Sequence, residues 1–197
     1  MFKIFKGRKS DVLSALAIND AAFWGADVFV GVIFALFITQ TLGGSAIDVG
    51  LMYGLYRGIR ALIAIPVGRF FDNQKGHFDE YHAILLAGVI VGLTYISMSF
   101  ATELWHVYIG MAFIAIGHII DNLAWKVLFY TNVPRAAQGQ VMGIYEVTSQ
   151  FVYGLAMIVA GFVGETYGFD TALMFAGFVT MAGTFTVLSM YKARSKF

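Results

Sequence analysis

Cysteine is absent from the 197-residue chain. That excludes disulfides, thiol nucleophiles and cysteine-bound metals. Charge is scarce: Asp, Glu, Lys and Arg make up 13% of residues, against 59% hydrophobic, and the formal net charge is +1. A soluble domain of this length would carry far more surface charge. A balance so near zero gives no case for nucleic acid as a partner. No low-complexity segment occurs and nothing reads as a soluble second domain. The 22 glycines fit a membrane protein, where glycine is commoner than in soluble helices.

Six apolar segments approach or exceed the roughly 20 residues a helix needs to cross a bilayer. They are Leu13–Thr41, Ile47–Phe71, Tyr81–Ala101, Leu104–Tyr130, Ala137–Val163 and Thr171–Tyr191. The runs are continuous rather than alternating, which excludes a β-barrel. The fold class is therefore an all-α integral membrane protein with six transmembrane helices. Residues 1–12 read as a basic segment, 13–191 as the six-helix domain and 192–197 as a basic tail. The first stretch holds Asp11, Asn19, Asp20 and Asp27, too polar for the core of a cleaved signal peptide. Phe2 and Phe5 are placed to dip into the lipid interface, with Lys3, Lys6, Arg8 and Lys9 on anionic headgroups.

Charge sets the orientation. Lys3, Lys6, Arg8, Lys9, Arg69, Lys75, Arg135, Lys192, Arg194 and Lys196 all fall on one side of a six-span topology. The other side holds Asp48, Glu103, Glu165 and Asp170, and no Lys or Arg. The positive-inside rule then places both termini in the cytoplasm, in a bacterial or archaeal cytoplasmic membrane.

The ionisable residues inside the spans are unevenly shared. Span 1 carries Asp20 and Asp27, span 2 Arg57 and Arg60, span 4 His118, Asp121 and Lys126, and span 5 Glu146. Apart from His82 at the edge of span 3, spans 3 and 6 carry none, so they read as the outer, lipid-facing pair. Helical spacing gathers Asp20 with Asp27, Arg57 with Arg60, His118 with Asp121 and Trp125, and Glu146 with Gln150 and Tyr153. At about 1.5 Å per residue, Asp27, Arg57 and Gln150 lie near the midplane, and Arg60, Asp121 and Glu146 nearer the cytoplasmic end. A charge at the bilayer centre costs from about 3 to more than 10 kcal/mol, so these groups need partners or a purpose. Two readings stand. One is structural pairing, Asp27 with Arg57 and Arg60 with Glu146 or Asp121. The other follows from four acids facing two arginines: a carboxylate short of a partner can carry a proton, which makes Asp20, Asp27, Asp121 and Glu146 candidates, with His118 as a relay.

The segment Gly68-Arg-Phe-Phe-Asp72-Asn-Gln-Lys75-Gly76 resembles the loop motif of the major facilitator superfamily. Gly68 and Asp72 match in spacing, Asn73 replaces a basic residue, and Gly76 comes one place late. The run Pro134-Arg135-Ala-Ala-Gln-Gly139-Gln-Val-Met-Gly143 resembles the start of the fifth helix of a superfamily half. Gly161-Phe-Val-Gly164-Glu-Thr-Tyr-Gly168 resembles the turn into its sixth. The resemblance implies one six-helix half made of two three-helix repeats. It implies that helices 1, 2, 4 and 5 face a partner half while 3 and 6 lie outside, the same split the charges give.

Members usually hold two such halves, so the resemblance implies a partner, most simply a second copy in a parallel C2 homodimer. Gly25, Gly31, Gly54, Gly58, Gly110, Gly117, Gly154 and Gly161 would permit close approach. It further implies secondary transport by alternating access, with Gly68, Arg69, Asp72 and Lys75 as a gating motif. Ala160-Gly161 stands where drug antiporters have Gly-Pro, which weakens that assignment. Arg57 and Arg60, with a donor fork suited to carboxylate, nitrate or phosphate, are candidate ligands for an anionic or polar solute, beside Trp24, Tyr56 and Gln150. Tyr53, Trp125, Tyr145 and Tyr153 could also stack on a ring, though such residues more often anchor packing.

No nucleophile–base triad, phosphate-cradling loop or metal-ligand cluster is present, so neither enzyme activity nor a metal or other cofactor is expected. His77, Asp79, Glu80 and His82 read as a solvated helix start. The alternative to a transporter is a non-transporting or heterodimeric membrane subunit pairing with another half.

Overall fold

The structure, a computed structural model, describes residues 8–72 and 78–187. Among these, six α-helices follow one another: α1 (Arg8–Leu36), α2 (Ala46–Asp72), α3 (Phe78–Met98), α4 (Leu104–Asn132), α5 (Gln138–Tyr167) and α6 (Phe169–Phe185). A π-helical turn, Phe37–Thr41, extends α1, and a short 3-10 turn, Arg135–Ala137, leads into α5. The helix α1 begins at Arg8, inside the segment expected to be only a basic leader. Lys75 and the tail 192–197 lie outside the described residues.

The ends follow local chemistry. Ser45 caps α2 in a reciprocal box: Asp48 N–H donates to Ser45 Oγ at 3.3 Å, and Ser45 N–H donates to Asp48 Oδ2 at 2.8 Å. Gly168, at φ 88°, makes the turn between α5 and α6, a left-handed conformation that favours glycine. Pro134 follows the C-cap of α4, where it cannot continue the helix.

Helices α1, α3, α4 and α5 are long and apolar enough to cross a membrane, and α6 is a shorter apolar helix within the described residues. The helix α2 has the length, 27 residues, but carries Arg57, Arg60 and Arg69. The protein is an all-α integral membrane protein.

The main contacts are α3 with α4 and α6, α1 with α5 and α6, and α2 with α4. Exchanging α1 with α4, α2 with α5 and α3 with α6 maps this set onto itself. Two three-helix units thus interlock as an inverted pair. Close crossings use glycine where a side chain would collide. A Cβ on Gly177 would meet the Gly92 carbonyl at 2.6 Å, and one on Gly117 would meet Val91 at 2.5 Å.

Glycines expected to serve a partner therefore divide. Gly110 and Gly117 are spent inside the chain, on the α3–α4 crossing, and Gly25 lies under Val152 of α5. Gly31, Gly54, Gly58, Gly154 and Gly161 have open space where a Cβ would stand. The last four lie on α2 and α5, whose buried residues are few: Met52, Tyr56 and Phe71 on α2, and Val141, Ser149, Ala160 and Gly164 on α5. The outer faces of α3 and α6 are largely apolar, with Leu86, Leu93, Phe175 and Phe178 exposed, and polar residues such as His82, Ser97 and Asp170 among them.

Candidate functional site

Four helices bring one polar chain together inside the bundle. Tyr95 of α3 donates its hydroxyl proton to Asp27 Oδ1 of α1 at 2.9 Å. His118 Nε2 of α4 lies 3.6 Å from the same oxygen. Its other nitrogen, Nδ1, is 2.8 Å from the Tyr56 hydroxyl of α2. Arg60 in turn donates to that hydroxyl. Arginine only donates, so the Tyr56 oxygen accepts from Arg60; with the imidazole proton on Nε2 the Tyr56 hydroxyl would donate to Nδ1, and Nε2 itself makes no hydrogen bond. The His118 side chain is fully buried, whereas Asp27 keeps 32% exposure. Asp27 thus opens to a cleft, which Tyr56 and Tyr95 also line.

The cleft holds about 100 Å³. Asp27, Tyr53, Tyr56, Arg57 and Tyr95 supply its polar lining, over an apolar floor that includes Phe34, Met98 and Ile114. Arg57 is exposed, its guanidinium 5.6 Å from the Tyr56 ring centroid. Arg60 stands over two rings, 5.2 Å from Tyr56 and 5.8 Å from Trp24. Volumes of about 300 Å³ or more are usual for small-molecule sites, so this cleft has the dimensions of part of one.

The ion pairs expected from depth do not form. Asp27 faces His118 and not Arg57, and among the described residues neither Arg57 nor Arg60 makes a salt bridge. Arg60 instead stands over the rings of Tyr56 and Trp24 and donates to the Tyr56 hydroxyl. Glu146 is exposed on α5 and accepts a hydrogen bond from Gln150 Nε2 at 2.8 Å. Both are exposed.

A second cluster lies where α1 meets α4 and α5. Asp20 is 4% exposed and Asp121 fully buried. Asp20 Oδ2 accepts from the Tyr153 hydroxyl at 2.5 Å and from Ser149 at 3.5 Å. Asp121 Oδ2 accepts from Trp24 Nε1 at 3.2 Å. Asp121 Oδ1 and both polar atoms of the Asn19 side chain are buried without a hydrogen-bond partner. The Trp24 indole joins the two clusters, its ring 4.8 Å from that of His118.

The remaining candidates are placed as follows. Trp125 is buried and stacks on Phe129 at 4.8 Å, a packing role. Gly68, Arg69 and Asp72 form the last turn of α2, with Arg69 and Asp72 exposed, and Lys75 lies outside the described residues. Glu80, expected to be solvated, is 2% exposed, because α3 turns it inward, while His82 is exposed. His77 and the side chain of Asp79 are not described. Among the described residues no group of three His, Asp or Glu could hold a metal ion.

Sorting spans by ionisable residues missed Tyr95, Asn19 and Ser149. Tyr95 sits on a span otherwise free of charge and was passed over for that reason. Asn19 adjoins Asp20 in sequence, and that adjacency was the available signal.

The family model of the Major Facilitator Superfamily matches residues 13–196. An uncharacterized MFS-type transporter of Methanocaldococcus jannaschii is 23% identical over 151 residues, covering 77% of this chain and 38% of the relative. The magnetosome protein MamH of Paramagnetospirillum magneticum is 27% identical over 179 residues, covering 86% of this chain and 41% of its own. The chain spans about two-fifths of the length of these curated relatives. With the matched model running almost from end to end over an interlocked six-helix bundle, the chain belongs to the Major Facilitator Superfamily.

Proposed function

We propose that the protein is a secondary active transporter of a small polar or anionic solute. It works by alternating access as a parallel homodimer of six-helix halves, coupled to protons, in a bacterial or archaeal cytoplasmic membrane with both termini inside. The observation that carries this reading is the cleft of Asp27, Tyr53, Tyr56, Arg57 and Tyr95, with an exposed arginine at bilayer depth. A charge there is costly against lipid. A second half set across the open faces of α2 and α5 would shield it and enlarge the cleft. Two copies would present two Arg57 forks to one cavity, suited to a carboxylate or an oxyanion.

Proton coupling is assigned to Asp27. It touches the cleft and lies 3.6 Å from His118, whose other ring nitrogen meets Tyr56 and, beyond it, Arg60. Asp72, with Gly68 and Arg69 at the end of α2, is assigned to latch one gate, since a carboxylate there can accept from the N-terminus of a neighbouring helix. The same open faces also fit a different half, which keeps a heterodimeric or non-transporting subunit as the second reading.

The test is uptake into proteoliposomes under an imposed pH gradient, screened over small carboxylates and oxyanions. Arg57→Lys keeps the charge and loses the planar fork. A drop of about tenfold or more in kcat/KM for the transported anion is expected, because each 1.4 kcal/mol of lost recognition is a factor of ten. Wild-type rate and affinity in Arg57→Lys would rule out direct contact. A pH gradient without effect on uptake would rule out the proton.

A further inference from the structure

We propose that the cleft of Asp27 and Arg57 binds a small zwitterion, an α-amino acid with little or no side chain, its ammonium on Asp27 and its carboxylate on Arg57. This names the substrate class of the transport site and rests on the transport reading for its role in uptake. The starting observation is that one cleft of about 100 Å³ is lined by both signs of charge and the two are not paired. Asp27 engages through Oδ1: the Tyr95 hydroxyl donates to it at 2.9 Å, and His118 Nε2 lies 3.6 Å away. Tyr95 is 1% exposed, so the core fixes this anchor. The other oxygen, Oδ2, accepts no hydrogen bond among the described residues, and the side chain keeps 32% exposure.

Arg57 supplies the second half of the argument. It is exposed and makes no hydrogen bond or salt bridge among the described residues. Its guanidinium is 5.6 Å from the Tyr56 ring centroid. The Tyr56 hydroxyl is 2.8 Å from His118 Nδ1, and the opposite nitrogen of that imidazole is the one near Asp27. The free carboxylate oxygen and the free guanidinium therefore belong to the two ends of one Tyr56–His118 pair. Their expected depth put both residues at one level of the bilayer; the structure leaves a gap between them.

A ligand of one charge serves one of these groups and opposes the other. A plain carboxylate on Arg57 brings its charge against Asp27, and a plain amine on Asp27 brings its charge against Arg57. Repulsion of that kind is strong where water is scarce. A zwitterion offers each group its opposite and adds no net charge. Its carboxylate matches the planar donor fork of arginine. Its ammonium has three donors, for which Asp27 Oδ2 and the Tyr53 hydroxyl of the same cleft are acceptors. Size agrees: the cleft is roughly three times the ~30 Å³ share of a water molecule in the liquid, which suits a core of glycine dimensions. The floor of Phe34, Met98 and Ile114 is apolar, so it accepts a methyl group and disfavours a charged side chain.

The experiment is equilibrium binding of radiolabelled glycine and, separately, radiolabelled acetate to the purified full chain in lipid nanodiscs at neutral pH, with methylammonium as a competitor. Saturable glycine binding is expected, about tenfold or more tighter than acetate, with methylammonium weaker than unlabelled glycine by a similar factor. Asp27→Asn should remove the advantage of glycine over acetate, because the charge that attracts an ammonium and repels a lone carboxylate is gone. Arg57→Gln should in the same way remove the advantage over methylammonium. A merely structural role would weaken all three ligands alike and would overturn the assignment of the two residues. The wild-type ranking decides the matter if a variant fails to fold. Acetate bound as tightly as glycine by the wild-type protein would overturn the zwitterion and leave an anion site, with the transport reading intact. Absence of saturable glycine binding would overturn it as well. Glycine binding in a protein inactive in every uptake assay would support the site and remove the transport reading instead.

Discussion

At the scale of single residues, glycine separates the inside of the fold from its unpaired faces. Gly177 and Gly54 have the same side chain and opposite surroundings. A Cβ at Gly177 would lie 2.6 Å from a backbone carbonyl and 2.6 Å from Ile96, so neither neighbour can simply rotate away. Gly177→Ala should destabilise the fold by about 1–3 kcal/mol. Gly54 has nothing within 4 Å of its would-be Cβ inside the chain, so for the single chain Gly54→Ala should be neutral or stabilise α2 by up to about 1 kcal/mol. Detergent-titrated unfolding of the two variants checks the contrast, and equal losses would mean that Gly54 is already covered. Residue identity alone could not give this division, because both glycines sit in apolar helices. The same limit applied to the charges. Depth and spacing put Arg57, Arg60, Asp27 and His118 near one another. They could not show that Arg60 stands over the Tyr56 and Trp24 rings rather than beside an acid, because a ring's position depends on which way each helix turns about its axis.

At the scale of elements, the helices were largely legible and their start and stop chemistry more so. The long apolar runs predicted α4 from Leu104, its observed start, and α5 within a residue of its own. Less legible was the helical path before residue 13, where basic side chains hid a backbone already helical at Arg8. The capping box at α2 is the clearest local device. Ser45→Ala removes the acceptor for the Asp48 amide and should cost about 0.5–2 kcal/mol. A thermal melt of the variant beside the wild type reads it, and Ser45→Asn should restore most of the loss. The cap matters because Asp48 also accepts a bond from Tyr108 of α4 at 3.4 Å. Loosening it frees the start of α2 from its main neighbour. The helix that carries both arginines is held chiefly by α4, so small changes at its ends will be felt at the cleft.

At the scale of the whole molecule, α2 and α5 present open faces that hold Arg57, Glu146 and Gln150. Such faces are unstable against lipid, which is why a second copy is expected over them. The mass of the purified chain in lipid nanodiscs, with the lipid share resolved, should be that of two chains. A stable single chain would remove the two-fold cavity and leave a different half as the partner. The sequence had marked helices 3 and 6 as the outer pair by their lack of charge. It had not marked α2 and α5 as the least covered, since coverage is a property of the assembled bundle.

The interlocking of the two three-helix units has a consequence for synthesis. None of the main interfaces joins α1, α2 and α3 to one another; each waits for α4, α5 or α6. A ribosome that has delivered only the first half to the membrane has delivered three separate spans with almost nothing to hold. Their buried acids and arginines must be sheltered by the insertion machinery or by lipid headgroups until the second half arrives. Assembly then closes late and all at once. The vulnerable moment in the life of this protein is the pause between its third and fourth helices, when its polar interior has been made and its walls have not.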